Sequence, residues 1–228
     1  MGNRADLWRQ MGFFTPSKVE GKIHVVGVGA TGSHIVNTLA CMGVENIVVY
    51  DFDVVEPHNL PNQIYSLPDV GKPKVDALKQ YVTNKMGFDI EAVNEKVESI
   101  EDLDGMLILC TDSMKSQKEI FESSAKFKPK ARAVIETRMG IDHGRVYFLD
   151  PNNKIHLKKY AAEWYTDEEA AESPCNLRAI SVTAQLIACL AASKVVLTTK
   201  EDDSDFIYKL PNKTMICMDG SVIDYSWT

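Results

Sequence analysis

The sequence lacks the cysteine spacing of a zinc site or a disulfide framework. Its five cysteines are odd in number, and no two of them form a Cys-x-x-Cys pair. We therefore expect reduced thiols and no structural zinc. Four of the cysteines lie in apolar runs, where small buried side chains are the usual interpretation. Cys175, which follows a polar stretch, is the exception.

Positive charge is scarce as well. The chain has 25 Lys and Arg against 32 Asp and Glu, a formal net charge of −7. This balance argues against a broad nucleic-acid surface or an anionic membrane as the main partner, although it leaves room for a local basic site. No N-terminal run resembles a signal peptide, and no apolar stretch reaches the roughly eighteen residues of a membrane span. We expect a cytoplasmic protein with neither nucleic acid nor membrane as partner.

What the sequence does contain is a regular alternation of strands and helices. At 228 residues and 45% hydrophobic content, the chain can form one domain with a full core. The predicted strands lie near residues 22–28, 46–50, 90–95, 106–110, 133–136 and 145–149, with two more between 206 and 223 around a turn at 211–213. The predicted helices lie near residues 31–42, 73–85 and 180–192. The pattern predicts an α/β fold, a Rossmann-like doubly wound, mainly parallel sheet with a C-terminal antiparallel extension, after an N-terminal arm at residues 1–20.

A glycine motif opens the fold. The β-branched run at residues 23–28 leads into Gly27, Gly29 and Gly32, and a second apolar run ends at Asp51. The glycines let backbone N–H groups approach a phosphate, and the N-terminus of the following helix favours the anion. Asp51 can accept hydrogen bonds from ribose hydroxyls. This is the pattern of a nucleotide-binding βαβ unit, with a tight packing turn as the alternative.

Two further residues stand where phosphate chemistry needs them. Lys74 begins a predicted helix and can reach a phosphate, and Asp112 follows a buried strand, where it can hold Mg²⁺ directly or through water. The alternatives are a solvated surface lysine and a helix N-cap aspartate. Residues 52–72 form a polar connection too long for an ordinary loop, which indicates a functional one.

In this arrangement the chain resembles the ThiF/MoeB-type adenylyltransferases, relatives of the ubiquitin-activating enzymes, from residue 22 to about residue 196. The matching residues are Gly27, Gly29, Gly32, Asp51, Asp53, Val55, Asn59, Leu60, Gln63, the run from Gly71 to Lys74, the run from Cys110 to Asp112, and Cys175. The resemblance implies one adenylation domain over residues 21–228, with a crossover loop near 160–175. It also implies a homodimer.

The resemblance further implies that ATP and Mg²⁺ bind and that the C-terminal carboxylate of a ubiquitin-like or sulfur-carrier protein, or of a short peptide, attacks the α-phosphate. An acyl adenylate and pyrophosphate result. The implied nucleotide site consists of Gly27, Gly29, Thr31, Gly32, Asp51, Asp53, Asn59, Asn62, Gln63, Lys74 and Asp112. Within it, Asp112 holds the metal, Asp53 shares the metal or orders the loop, Asn59 donates to a phosphate and Gln63 supports the loop.

One departure concerns a cation. The family has arginine three positions after the Asn of its Asn-Leu pair, where it meets the β- and γ-phosphates, and this chain has Asn62. A neutral amide cannot replace that charge. Arg138 is the first candidate to compensate, with a salt bridge to Glu136 or Asp142 as its alternative role. The further candidates are Arg178 and Arg9, the latter contributed by the N-terminal arm of a partner subunit.

Cys175 is implied as a fourth catalytic residue beside Lys74, Arg138 and Asp112. It lies between an acidic, polar stretch and a helix start, with Arg178 nearby, a setting that favours a reactive thiolate. Some relatives use a cysteine here to accept the activated carboxyl group as a thioester or persulfide, and others keep it unused. Both interpretations stay open.

Two other function classes compete with this one. The opening βαβ unit suits an NAD-dependent oxidoreductase equally well, although hydride transfer has no need of Lys74 or Asp112. The neutral Asn62 also fits a degenerate member that binds nucleotide and serves as a non-catalytic partner.

Overall fold

The structure, a computed structural model, describes residues 4–166, 180–199 and 210–227. Its strands are β1 Lys22–Val26, β2 Ile47–Tyr50, β3 Glu91–Val93, β4 Gly105–Leu109, β5 Ala131–Met139, β6 His143–Leu149, β7 Lys213–Cys217 and β8 Val222–Tyr225. The helices described are α1 Ala30–Cys41, α2 Lys74–Met86, α3 Met114–Ile120, α4 Lys154–Ala161 and α5 Ser181–Thr198. A π-helical turn, Phe121–Ala125, follows α3.

The eight strands form one sheet in the order β3-β2-β1-β4-β5-β6-β7-β8. The first five strands in this order are parallel, with Val25 of β1 opposite Val49 of β2 and Ile108 of β4. The last three are added in antiparallel pairs. The predicted fold class, a mainly parallel doubly wound sheet with an antiparallel C-terminal extension, is confirmed. In such a sheet the carboxyl ends of the parallel strands meet at one edge, where ligands bind.

Both faces of the sheet are covered because strand side chains alternate between them. On one face, Ile23, Val25 and Ile108 pack with α1, α2 and α5. On the other, Val26 and Leu107 pack with residues of α3, the π-helical turn and α4. A strand buried on both sides reads as a continuous apolar run, which explains why β1 and β4 were recognisable in the sequence.

Helix α5 is mostly apolar, and Lys194 is the one charged residue in its sequence. Among the residues described, it is the one helix that is long and apolar enough to cross a membrane. Half of its 18 residues are buried in the fold. The expectation that no apolar stretch reaches eighteen residues was therefore wrong. Ala184, Ala188 and Ala191 are fully buried, and α5 packs against α1 and β6. Small alanines allow this close helix packing, so the apolar sequence is accounted for by the core of the domain.

Two further details correct the sequence prediction. The turn expected at residues 211–213 is wrong, because β7 already starts at Lys213 and the chain reverses at residues 218–221. The Asp219 carboxylate accepts from the Ser221 N–H at 2.9 Å, an Asx turn that the sequence Met-Asp-Gly-Ser could have indicated. The expectation of buried thiols was also too simple, since Cys189 is exposed and Cys41, Cys110 and Cys217 are half-buried.

Candidate functional site

The glycine turn joins β1 to α1 at the carboxyl edge of the sheet. Gly27 has a φ of +86°, and a Cβ on it would lie 2.9 Å from the carbonyl carbon of Cys110. A Cβ on Gly32 would collide with the Gly27 carbonyl oxygen. The N-cap of α1 is Gly29, which offers no side-chain cap, so the N–H groups of the first helical turn are left to donate to an outside acceptor. Thr31 is buried within this turn. The turn is shaped for close backbone approach to an anion.

A chain of hydrogen bonds runs from this turn to Lys74. Asp51 accepts from the Val28 N–H at 2.8 Å and, through its other oxygen, from the Asp53 N–H at 2.9 Å. Asp53 in turn accepts from Lys74 Nζ at 2.7 Å. We call these four residues the Asp51 relay. Lys74 is only 7% exposed, so the alternative of a solvated surface lysine is wrong. The relay fixes an ammonium group beside the glycine turn.

The long connection after β2, residues 52–72, packs beside the glycine turn. Asn59 is buried and its side-chain oxygen accepts from the Glu56 N–H at 2.9 Å, so it shapes the loop. Tyr65 donates its hydroxyl to the Val28 carbonyl at 2.7 Å. The Asn62 carbonyl lies 3.2 Å from His34 Nε2 on the first turns of α1. The connection thus carries Asn62 to the beginning of α1.

The Gln63 side chain lies next to Gly29 in the glycine turn. A Cβ on Gly29 would lie 3.9 Å from its side-chain nitrogen, and its Oε1 is buried with no hydrogen-bond partner among the residues described. An unpartnered buried oxygen is costly, so it indicates a site where a further group belongs.

Asp112 lies beside the glycine turn because the Cys110 N–H donates to the Val26 carbonyl at 2.8 Å. It is exposed. The N-cap of α3 is Ser113, whose side chain accepts from the Ser116 N–H at 3.3 Å, so the N-cap alternative for Asp112 is wrong. Within residues 4–166, 180–199 and 210–227, no three His, Cys, Asp or Glu side chains converge on a metal position. A Mg²⁺ bound at Asp112 would therefore draw most of its ligands from phosphate and water.

Arg138 points elsewhere. It is 7% exposed and forms an ion pair with Glu136, which is fully buried. Its Nη1 donates to the Glu163 carbonyl at 2.6 Å. The rings of Tyr147 and Trp164 lie 4.5 and 5.3 Å from the guanidinium carbon. The structure thus shows the salt-bridge role rather than the phosphate role. The partner is Glu136 rather than Asp142, which pairs with His143.

Burial raises the pKa of Glu136, the acid of this pair, to about 7, although the positive charge of Arg138 acts to lower it. Lys213 Nζ and the Tyr147 hydroxyl bond the Glu163 carboxylate at 2.8 and 3.1 Å. Glu163 is thereby tied to β5, β6 and β7.

One other predicted residue, Arg9, is not brought to the glycine turn of its own chain. Gln10, next to Arg9, donates to the Cys41 carbonyl at 2.8 Å, so the N-terminal arm lies at the far end of α1. Since α1 has twelve residues, that end is about 18 Å away, and Arg9 can serve only another copy of the chain. Cys175 and Arg178 lie outside the described residues.

Sequence reasoning missed Arg145. It lies opposite Arg138 on β6, near the carboxyl edge of the sheet, and is half-buried. Its Nε is buried and has no hydrogen-bond partner in the part of the chain that the structure describes. An arginine between a glycine and a run of apolar strand residues was the available signal. Arg145 is therefore a second cation to consider where Asn62 supplies none.

The comparisons with known proteins agree with this geometry. The sequence profile of the ThiF family matches residues 17–216. The chain belongs to the ThiF family. It is 35% identical over 82 residues to the SAMP-activating enzyme E1 of Haloferax volcanii, over 35% of this chain and 30% of that enzyme. It is 38% identical over 73 residues to tRNA threonylcarbamoyladenosine dehydratase 2 of Saccharomyces cerevisiae, over 31% of this chain and 16% of that protein. The matched segment is less than a third of either relative.

Solved structures share the fold of this ThiF-family chain over nearly its whole length. E. coli MccB with ATP superposes with a TM-score of 0.71 at 16% identity, over 93% of this chain and 65% of that one. PaaA superposes with a TM-score of 0.71 at 20% identity, over 97% and 69%. At these identities the likeness shows the fold, and the activity of this ThiF-family chain has to be argued from its own site.

Proposed function

We propose that this chain is an adenylyltransferase that uses ATP and Mg²⁺ to activate the C-terminal carboxylate of a ubiquitin-like or sulfur-carrier protein, or of a short peptide. The observation that carries the proposal is the Asp51 relay, which joins a glycine turn to a buried lysine. Among the relatives, one is a SAMP-activating enzyme, and MccB structures contain AMPCPP together with MccA. These names support the reaction class and leave the partner of this chain to experiment.

The residues fit the charge changes of that reaction. When a carboxylate oxygen attacks the α-phosphorus of ATP, the bond to the β-phosphate oxygen breaks and pyrophosphate leaves, so negative charge accumulates. The N–H groups at the start of α1 and the Lys74 ammonium can stabilise this charge. Asp112 can hold Mg²⁺ directly or through water, and Asp51 can accept from the ribose hydroxyls through its free lone pairs.

The cation missing at Asn62 has to come from another arginine. The structure commits Arg138 to Glu136 and Glu163, which leaves Arg145, Arg178 and the Arg9 of a second copy as candidates. Arg9 could act only in a homodimer, which is part of this proposal. With none of them in place, the chain would bind nucleotide as a non-catalytic partner.

ATP–pyrophosphate exchange tests the proposal. We expect exchange that depends on Mg²⁺ and on a carrier ending in Gly-Gly, or on a peptide with a free carboxyl end. In parallel, a thermal-shift measurement should show stabilisation by Mg-ATP and none by NAD, because binding to the folded state raises the melting temperature. Stabilisation by NAD alone would establish the oxidoreductase alternative. ATP binding without exchange with any carrier would establish the non-catalytic one.

A second prediction concerns Cys175 as the acceptor of the activated carboxyl group. Cys175→Ala should leave pyrophosphate exchange at the wild-type rate and abolish a thiol-sensitive carrier adduct on denaturing gels, because the sulfur attacks only after the adenylate has formed. Cys189→Ala, which removes an exposed thiol on α5, is the matched control and should keep the adduct. An adduct that survives Cys175→Ala would exclude this thiol.

A further inference from the structure

Two short stretches reverse the charge of this acidic chain. Residues 126–132 contain three lysines and an arginine, and residues 154–159 contain three lysines. Neither stretch contains an acid, although the chain as a whole has a net charge of −7. A local basic region on an acidic protein attracts a partner of opposite sign by steering it in solution.

The fold brings the two stretches together. The Phe127 N–H donates to the Pro151 carbonyl at 3.2 Å, and the Asn152 side chain donates to the Lys128 carbonyl at 3.4 Å. Asn153 then caps α4, accepting from the Ile155 N–H at 2.9 Å. We call the surface formed by residues 126–132 and 154–159 the basic face.

Much of this charge is not neutralised by the residues that the structure describes. Lys126 pairs with Glu122 and Arg132 with Glu20. Four other lysines of the basic face are exposed and make no ion pair with any residue that the structure describes: Lys128, Lys130, Lys154 and Lys158. Like charges held close together repel one another, so an acidic partner would relieve this repulsion.

The basic face also has apolar anchor points. Ile155 is 49% exposed and lines a shallow groove of about 530 Å³ together with Lys154, Lys158, Lys159 and Ala162. Phe127 is 55% exposed and has a φ of +55°, a left-handed conformation that bulky residues rarely adopt. An apolar centre with a charged rim is the composition of a protein-binding surface.

The basic face leads to the edge of the sheet where the candidate site lies. Helix α4 ends at Ala161, and the Glu163 carbonyl is bonded to Arg138 at the carboxyl end of β5. The glycine turn opens at the same edge, since β1, β4 and β5 are parallel. A partner seated on α4 is therefore placed to direct its chain end towards that edge.

We propose that the basic face docks an acidic segment of the protein or peptide whose carboxyl end is activated, with one apolar side chain of that segment in the groove beside Ile155. The inference rests on the proposed function and names the chemistry of its substrate. An acidic protein segment fits better than a nucleic acid, because the groove is partly apolar and the rest of the chain would repel a long polyanion.

The test uses the whole chain and a fluorescent synthetic peptide rich in Glu, with two Leu and a Gly-Gly end, and measures binding by anisotropy without ATP. Reversing two charges in Lys154→Glu/Lys158→Glu should weaken binding about tenfold and reduce its salt dependence. The matched control is Lys18→Glu/Lys96→Glu, which makes the same change in net charge at exposed positions outside the basic face; it should bind within about twofold of wild type. A peptide with Lys in place of Glu should bind the Lys154→Glu/Lys158→Glu variant more tightly than it binds wild type.

Three results would overturn the proposal. The first is equal peptide binding by wild type and the Lys154→Glu/Lys158→Glu variant. The second is tighter binding of a single-stranded RNA through the same lysines, which would assign the face to nucleic acid. The third is a difference in oligomeric state between wild type and the Lys154→Glu/Lys158→Glu variant in sedimentation. Such a difference would assign the basic face to contact with a second copy of the chain.

Pyrophosphate exchange separates failure of this proposal from failure of the proposed function. Exchange whose KM for the carrier is unchanged by Lys154→Glu/Lys158→Glu would reject the docking surface alone. Charge-dependent peptide binding without any exchange would reject the adenylation reaction and leave an acidic binding partner.

Discussion

Replacing Lys74 with alanine should reduce pyrophosphate exchange about hundredfold while leaving the fold intact. Lys74 supplies an ammonium that Asp53 holds at 2.7 Å in the buried part of the site. A preorganised cation where charge develops contributes on this scale to catalysis. Alanine is a strong helix former, so α2 should still begin at this position. The measurement is the exchange rate at saturating Mg-ATP, with circular dichroism as the check on folding.

The neighbouring Lys72 provides a matched control. Its side chain is half exposed and pairs with Asp69 on the surface at 3.0 Å, a contact worth little. Lys72→Ala should therefore retain the wild-type exchange rate. Asp53→Asn keeps the shape of the Asp51 relay and removes its charge, so it should give an intermediate rate. If Lys74→Ala and Lys72→Ala behaved alike, the relay would have no part in catalysis and the non-catalytic interpretation would gain.

Replacing Arg138 with methionine should destabilise the protein by about 3 kcal/mol, because it leaves the fully buried Glu136 without its counter-charge. Truncating one member of a buried ion pair costs far more than the pair itself contributes. The double variant Glu136→Gln/Arg138→Met should recover part of the loss. Urea unfolding at constant pH measures all three proteins.

Two controls separate this effect from a general loss of charge. Lys126→Met breaks a surface pair with Glu122 and should cost less than about 1 kcal/mol. Arg138→Met should also weaken the attachment of Glu163, which loses the 2.6 Å bond to its carbonyl, so faster amide exchange is expected around residue 163. A loss for Arg138→Met as small as that for Lys126→Met would show that the Glu136 pair does not support the fold.

The Glu136–Arg138 pair also predicts how the stability of the protein depends on pH: the stability should fall as the pH rises. Burial raises the pKa of Glu136 from 4.5 to about 7, so the folded state keeps this proton at pH values where the unfolded state has lost it. The stabilisation is complete below about pH 4.5 and is lost as the pH rises to about 7. In the Glu136→Gln variant this decrease in the free energy of unfolding between about pH 4.5 and pH 7 should be absent, which urea unfolding at a series of pH values would show.

The sequence by itself determined the fold class, and it predicted most residues of the proposed nucleotide site. Gly27, Gly32, Asp51 and Lys74 were identifiable because the requirement each one meets is local. A turn with a close backbone approach needs glycine, a strand end exposes an acid, and a helix start presents a lysine. The apolar runs of β1 and β4 likewise reflect burial on both faces of a parallel sheet.

Only the tertiary structure decided the partners of the charged side chains. Lys74 is buried because Asp53, twenty-one positions earlier, folds back beside it. Arg138 pairs with Glu136 and donates to the Glu163 carbonyl. Its guanidinium also contacts one aromatic ring on β6 and one in the segment after α4. The same holds for Arg9, which the structure places at the far end of α1. The energy of a charge depends on its distance to other charges and on its exposure to water, and the sheet sets both by bringing together residues that are far apart in the chain.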